Sequence, residues 1–201
     1  IPGSWTRMAN YYAMITGEGR GTVRPLPGFR DPLVRYRLTG QDNPAERTLR
    51  TLLAREADNI NGVAQLAQLL VDHNNLTEAV PLLENFLDDT PNGDLYDLLG
   101  DAYTRTNNLP GAEQAYRNAV RIEPDRARHL RGLAQTLFSR EHFPEALVEY
   151  QRLAELRPDD TENYLRMATI YRRLQRLDDA ERQILQARQR APGNLEVIYN
   201  Q

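Results

Sequence analysis

The chain has 201 residues, of which 40% are hydrophobic, and this is enough apolar material for one domain-sized core. No apolar run approaches the ~18 residues that a membrane-spanning helix needs, so membrane insertion is not expected. The net charge of −3 gives no argument for nucleic acid or an anionic membrane as a partner. Because the sequence has no cysteine, disulfides and thiolate metal sites are excluded.

The acidic charge is concentrated in the middle of the chain. Residues 1–43 carry 6 arginines and 3 acids, residues 44–126 carry 7 and 14, and residues 127–201 carry 12 and 11. All 25 basic residues are arginine, so lysine is absent.

Residues 1–16 predict a helix that ends before Gly17. Trp5, Met8 and Tyr12 fall on one face of this helix. The chain begins with isoleucine rather than methionine. If that end has been processed, an export signal has been removed, which favours a periplasmic or extracellular location in a bacterium or archaeon over the cytoplasm.

Residues 17–43 are rich in Gly and Pro and contain one β-like run at residues 33–38. They predict an extended loop or arm, and loops longer than about 12–15 residues are usually functional or disordered. A second helix is predicted over residues 44–59, with Pro44 suited to its first position.

From residue 60 onward, one pattern of two short amphipathic helices and a turn occurs four times, at residues 60–92, 93–126, 127–160 and 161–194. In the second copy the helices are marked by Tyr96, Leu99, Gly100 and Tyr103, then by Ala112, Tyr116 and Ala119. Prolines 91, 124, 158 and 192 close the copies at intervals of 33, 34 and 34 residues. Small residues such as Gly100 are expected where two helices cross closely.

This pattern resembles the tetratricopeptide (TPR) repeat. The resemblance implies an all-α, right-handed solenoid of helix-turn-helix repeats that covers about residues 45–194. The helices at 5–16 and 44–59 then form a first repeat that is split by the arm at 17–43. Residues 195–201 start a further helix.

No catalytic or cofactor-binding constellation is found, so the chain is predicted not to be an enzyme and to use no cofactor. None of the histidines, His73, His129 and His142, has a second histidine or a carboxylate at ligand spacing along the chain. They are predicted to be ordinary surface residues, and no metal site is expected. A faint calcium-loop pattern at residues 88–99 is interrupted by Pro91 and lacks the bidentate glutamate.

The TPR resemblance implies binding of a protein or peptide on the concave surface that the first helices of the repeats line. The positions that correspond to this groove are Asp94, Asp97, Asp101, Arg128, Arg131, Gln135, Phe138 and Arg172. Asp94 is expected near Arg128, and Asp97 near Arg131. The TPR subclass that grips a C-terminal carboxylate with lysine is disfavoured. The arginines of residues 172–190 fall on several helix faces, so nucleic acid is not predicted.

Three functions remain open at this stage. The first is a non-catalytic interaction scaffold. The second is a structural subunit that assembles head to tail into a filament, or a smaller homo-oligomer, through the arm and the C-terminal end. Its candidate residues are Trp5, Met8, Tyr12, Val34, Tyr36, Leu38, Ile198 and Tyr199. The third is an accessory region of a larger enzyme.

Overall fold

The computed structural model describes residues 43–191. The predicted helix at 5–16, the arm up to residue 42 and the predicted helix start at 195–201 lie outside the described residues. The chain divides into two compact units between His73 and Asn74. The described residues therefore belong either to a unit that ends at His73 or to a unit that begins at Asn74.

The described part of the chain contains nine α-helices and no strand. The first unit holds α1 (Pro44–Arg55) and α2 (Ile60–Asp72). The second holds α3 (Leu76–Asp89), α4 (Gly93–Arg105), α5 (Leu109–Ile122), α6 (Ala127–Ser139), α7 (Phe143–Leu156), α8 (Thr161–Arg173) and α9 (Leu177–Arg190). None of these helices is long and apolar enough to cross a bilayer. The predicted all-α fold is confirmed.

In the first unit, α1 begins as predicted, with Pro44 in the first turn and the Asn43 side chain accepting a hydrogen bond from a backbone N–H. The helix ends at Arg55 and not at Asn59. The reason is that Asn59 caps the next helix: its Oδ1 accepts a hydrogen bond from the Gly62 backbone N–H at 2.9 Å. One asparagine cannot both continue α1 and cap α2.

In the second unit, the predicted repeats at 93–126, 127–160 and 161–194 correspond to the helix pairs α4–α5, α6–α7 and α8–α9. Small residues lie where the two helices of a pair cross: Ala112, Ala146 and Ala180 are all buried. The core between the pairs is built from large residues of α6, α7 and α8, namely Leu130, Leu133, Leu137, Tyr150, Leu153, Tyr164, Met167 and Ile170. The 3.6-residue periodicity seen in the sequence is therefore the packing pattern of this core.

The ring of Tyr116 in α5 contacts two glycines of different helices. A Cβ atom added to Gly100 of α4 would lie 2.7 Å from Tyr116 Cε1, and one added to Gly132 of α6 would lie 2.6 Å from Tyr116 Cδ1. Real Cβ contacts are never this short, so both helices reach the ring only because they carry glycine. The close crossing predicted at Gly100 is present, and Gly132 adds a second close approach to the same ring.

Four described residues adopt the left-handed backbone region, with φ between 58° and 61°: Asn74, which follows α2, and Asn107, Glu141 and Gln175, which lie in the turns within the three helix pairs. These positions recur at the intervals of the closing prolines. Asparagine tolerates this conformation, whereas glutamate and glutamine experience the clash of Cβ with the following carbonyl oxygen. The turn geometry is therefore fixed by the repeat even where the residue type does not favour it.

Replacing Glu141 with glycine is expected to raise the free energy of unfolding by about 0.5–1 kcal/mol, because glycine adopts φ near +60° without strain. The change is measured as the shift of the urea midpoint at constant slope. Asn107→Gly is the matched control at the same turn position and is expected to change stability much less. Equal effects of the two substitutions would contradict the explanation from strain.

Candidate partner-binding face

The sequence-predicted contact residues lie on α4, α6 and α8, which are the first helices of the three pairs in the second unit. Arg128 and Gln135 of α6 and Arg172 of α8 are exposed, and Asp94, Asp101 and Phe138 are half-buried. Asp97 differs, because it is 1% exposed. The predicted residues therefore do not all present their polar groups to solvent.

The Asp97 carboxylate is enclosed by two side chains of α6. Arg128 Nε lies 2.5 Å from its Oδ2, and His129 Nδ1 lies 2.9 Å from its Oδ1. Burial raises the pKa of Asp97, and the hydrogen bond with His129 and the charge of Arg128 partly oppose this. Its oxygens are therefore occupied inside the protein and are not offered to a partner.

The ion pairs across these helices are shifted by about one helical turn from the expected register. Arg128 contacts Asp97 and lies 3.4 Å from Asp101, while Arg131 Nη2 pairs with Asp160 at 2.9 Å. The expected pairs, Asp94 with Arg128 and Asp97 with Arg131, are replaced by these contacts. The physical reason is that equivalent positions in the first helices of neighbouring repeats are not level with each other. Asp97 therefore contacts Arg128, which lies three positions before its equivalent residue Arg131 in the next repeat.

His129 was expected at the surface, and this is wrong: its side chain is 0% exposed. Besides Asp97, it contacts Glu123 through Nε2, which lies 3.2 Å from Glu123 Oε2. The two carboxylates come from residues 32 and 6 positions away in the sequence. Inspection of ligand spacing along one helix could not have found them, because the fold brings them together.

The cluster continues to the surface through Arg126. Its guanidinium pairs with Glu123 Oε2 at 2.7 Å and with Asp94 Oδ1 at 2.8 Å. The hydrogen bond from Arg126 lowers the pKa of Glu123, and the same contact raises the pKa of Arg126. Asp94 is thereby also engaged within the protein. We call Asp94, Asp97, Glu123, Arg126 and His129 the His129 cluster.

A second polar cluster surrounds Glu113 of α5, which is buried. Its carboxylate forms short ion pairs with Arg117 and Arg140, and His142 Nδ1 lies 3.5 Å from Glu113 Oε2. Arg140 and His142 belong to the turn between α6 and α7, so this cluster ties α5 to the next turn. Its geometry explains a buried acid but leaves no free carboxylate oxygen for a partner.

Comparison with known proteins identifies the repeat. The profile of the Tetratricopeptide repeat family matches residues 64–127, 98–161 and 131–195 in three overlapping registers. This chain belongs to the tetratricopeptide repeat family. The TPR repeats thus extend over most of the described residues, as the motif spacing predicted.

Solved structures with the same fold include two TPR-like neighbours. The crystal structure of the MamA protein matches with a TM-score of 0.68 and 18% identity, over 75% of this chain and 83% of that one. YrrB, described as a TPR protein with an unusual peptide-binding site, matches with a TM-score of 0.67 and 22% identity, over 77% of this chain and 80% of that one. At these identities the likeness shows the fold alone.

Among curated proteins, a short stretch is similar to an uncharacterized GMC-type oxidoreductase, y4nJ, of Sinorhizobium fredii (strain NBRC 101917 / NGR234). The two are 46% identical over 39 residues, which is 19% of this chain and 8% of that protein. The match therefore spans a small part of the oxidoreductase.

The first helices α6 and α8 also carry polar and apolar groups that form no ion pair among the described residues. Gln135 and Thr169 are exposed, and Phe138 is half-buried with its edge against Phe143, at a ring-centroid distance of 5.9 Å. Arg172 is exposed, and its guanidinium forms no ion pair with another residue of the range 43–191. These groups differ from the acids and arginines of α4 and the start of α6, which are paired with each other.

The residues predicted for self-assembly, Trp5, Met8, Tyr12, Val34, Tyr36, Leu38, Ile198 and Tyr199, lie outside the described residues. Head-to-tail assembly of TPR chains through them stays a prediction.

Proposed function

We propose that this chain is a non-catalytic TPR scaffold that binds a protein or peptide segment along α6 and α8. The observation that carries the proposal is the contrast between two parts of one face. The charged residues of α4 and of the start of α6 form ion pairs with each other, whereas Gln135, Thr169 and Arg172 are exposed. A partner gains more from Gln135 and Arg172, since it does not have to break an ion pair to reach them, and the Thr169 hydroxyl, which donates to the Leu165 carbonyl at 2.9 Å, can still accept a hydrogen bond.

The chemistry of these groups favours a segment that carries a carboxylate next to an apolar side chain. Arg172 supplies a planar guanidinium, which binds carboxylates with two parallel hydrogen bonds. Phe138 supplies apolar surface, and Gln135 and Thr169 supply groups that bond to a peptide backbone. The structural neighbour YrrB, a TPR protein with an unusual peptide-binding site, supports the same class of ligand.

The polar clusters support a structural rather than a catalytic interpretation. Both ring nitrogens of His129 face carboxylates, and the oxygens of Asp97 and Glu113 are held by arginine or histidine. A general base must have a free lone pair within reach of a substrate. We therefore assign these groups to the stability of the repeats, although the similarity to a stretch of an oxidoreductase keeps an accessory region of an enzyme as the alternative.

Arg172→Glu is expected to weaken binding of a selected peptide at least about tenfold, because a charge-assisted hydrogen bond contributes about 1.5–3 kcal/mol and repulsion replaces it. Peptides are first selected from a random display library with the full chain, and affinities are then measured by fluorescence anisotropy. The selected peptides are expected to share an acidic residue or a terminal carboxylate.

Arg188→Glu is the matched control, because Arg188 is an exposed arginine in the last turn of α9 and does not belong to α6 or α8. It makes the same change of net charge and is expected to leave peptide affinity within about twofold. Equal losses for both variants would show a non-specific charge effect. An unchanged affinity of Arg172→Glu would remove the face of α8 from the binding site.

A further inference from the structure

The His129 cluster contains a set of atoms with the composition of a metal site. One nitrogen or oxygen atom from each of Asp94, Glu123 and His129 lies within 4.8 Å of the other two. The three residues come from the start of α4, the end of α5 and the first turn of α6. No two of them belong to the same helix.

The closest pair of these atoms already has the separation of two ligands on one metal ion. His129 Nε2 lies 3.2 Å from Glu123 Oε2. At metal–ligand distances of about 2.0–2.2 Å, two ligands of a tetrahedral zinc ion lie about 3.3–3.6 Å apart. Both side chains can therefore bind one ion with shifts of a few tenths of an ångström.

The other ring nitrogen of His129 is held as it is in metal sites. His129 Nδ1 lies 2.9 Å from Asp97 Oδ1, and the whole Asp97–His129 pair is shielded from solvent. A carboxylate that accepts a hydrogen bond from one imidazole nitrogen directs the lone pair of the other nitrogen toward the metal. With Nδ1 as the donor, the lone pair of Nε2 points toward Glu123.

Two further observations concern the surroundings of these atoms. The backbone of Gly93 approaches the donors closely, since a Cβ there would lie 3.2 Å from both Glu123 Cδ and His129 Nε2. Asp94 Oδ1 is shielded from solvent and receives no hydrogen bond of good geometry, although Arg126 Nη2 is 2.8 Å away. The glycine thus keeps a side chain out of the cluster, and Asp94 supplies an acceptor that is poorly satisfied.

Arg126 is the cation that occupies this region in the structure. Its side chain bridges Asp94 and Glu123 and is 45% exposed, so it can leave toward solvent without disturbing the core. A metal ion and the guanidinium therefore compete for the same two carboxylates.

We propose that Asp94, Glu123 and His129 form a binding site for a divalent first-row transition metal of the zinc type, which opens when Arg126 moves out. One imidazole and two carboxylates suit such an ion, while Ca²⁺ and Mg²⁺ prefer sites made of oxygen alone. Water completes the coordination. The site is separate from the residues of α8 proposed to bind a peptide, and the bound ion crosslinks α4 to the residues at the end of α5 and the start of α6.

The test is titration of the tag-free full chain with Zn²⁺. Binding is measured by isothermal titration calorimetry, and the NMR resonances of the His129 ring are recorded during the titration. One equivalent is expected to bind and to shift the Nε2 resonance of His129. Glu123→Gln is expected to weaken binding about 10–100-fold, whereas Arg126→Ala removes the competing cation and is expected to tighten it about tenfold. An excess of Ca²⁺ or Mg²⁺ is expected not to displace Zn²⁺.

The opposite signs of the two substitutions separate this site from adventitious binding. His142→Gln and Glu145→Gln, in the cluster around Glu113, are the controls and are expected to leave binding unchanged. The proposal is overturned if Arg126→Ala takes up no Zn²⁺ at excess metal, if Glu123→Gln binds as tightly as the wild type, or if His142→Gln abolishes binding. Circular dichroism of each variant checks that it is folded.

Discussion

Gly132→Ala is expected to lower the free energy of unfolding of the second unit by about 2–3 kcal/mol, close to the upper end for overpacking in a core. The new methyl group would lie 2.6 Å from Tyr116 Cδ1. The ring has little freedom to move, because Gly100 of α4 also lies against it and the Tyr116 hydroxyl donates a 2.6 Å hydrogen bond to Asp101. Urea denaturation followed by circular dichroism measures the loss.

A second substitution identifies the ring as the cause. Tyr116→Leu removes the atoms that clash, so Gly132→Ala in the Tyr116→Leu background is expected to cost less than 1 kcal/mol by the logic of a double-mutant cycle. Tyr116→Phe keeps the ring and is expected to give no such relief. Additive losses for Gly132→Ala and Tyr116→Leu would show that the strain lies elsewhere.

Asp97→Ala is expected to lower the free energy of unfolding by about 2–4 kcal/mol, because it leaves the fully buried His129 Nδ1–H without an acceptor and Arg128 without its counter-charge. Most of this loss is assigned to His129. Arg128 is 54% exposed, so water can solvate its guanidinium once the carboxylate is gone. The loss is measured by urea denaturation in metal-free buffer.

The double-mutant cycle of Asp97→Ala with Arg128→Ala separates the two contacts. Arg128→Ala alone is expected to lower the free energy of unfolding by less than about 1 kcal/mol. In the Arg128→Ala background, Asp97→Ala is expected to remain strongly destabilising. If Asp97→Ala became almost neutral there, the arginine and not the histidine would be the stabilising partner. Replacing both Asp97 and His129 by leucine is expected to restore much of the stability, since burial raises the pKa of Asp97 and thus opposes its charged form.

The repeat architecture could be predicted from the sequence because it depends on short-range patterns. Tyr96, Gly100 and Tyr103 mark the first helix of one repeat, and Pro124 follows its second helix. The helices α4 and α5 accordingly lie within residues 93–126. The end of α1 was predicted less well, although asparagine is favoured at N-caps and disfavoured in helix interiors, because the role of Asn59 as a cap depends on where the next helix begins.

The polar contacts could not be predicted with the same success, because they depend on how successive repeats are offset. Because of an offset of about one turn, Asp97 forms its ion pair with Arg128 instead of Arg131, and His129 lies against a carboxylate 32 residues away. One signal was available in the sequence. His129 occupies the position of the buried Leu95 in the preceding repeat, so the repeat register itself indicated burial.

The position of the Tyr116 ring has a consequence for cooperativity. Stability in a repeat protein is approximately a sum of terms for single repeats and terms for the interfaces between neighbours. Because one ring is enclosed by Gly100 of its own repeat and Gly132 of the next, neither helix pair can open without exposing the same side chain. At the corresponding position of the next repeat, Tyr150 is also buried, in one core with residues of α8. Opening of one helix pair within residues 93–190 is therefore expected to disturb the neighbouring pair.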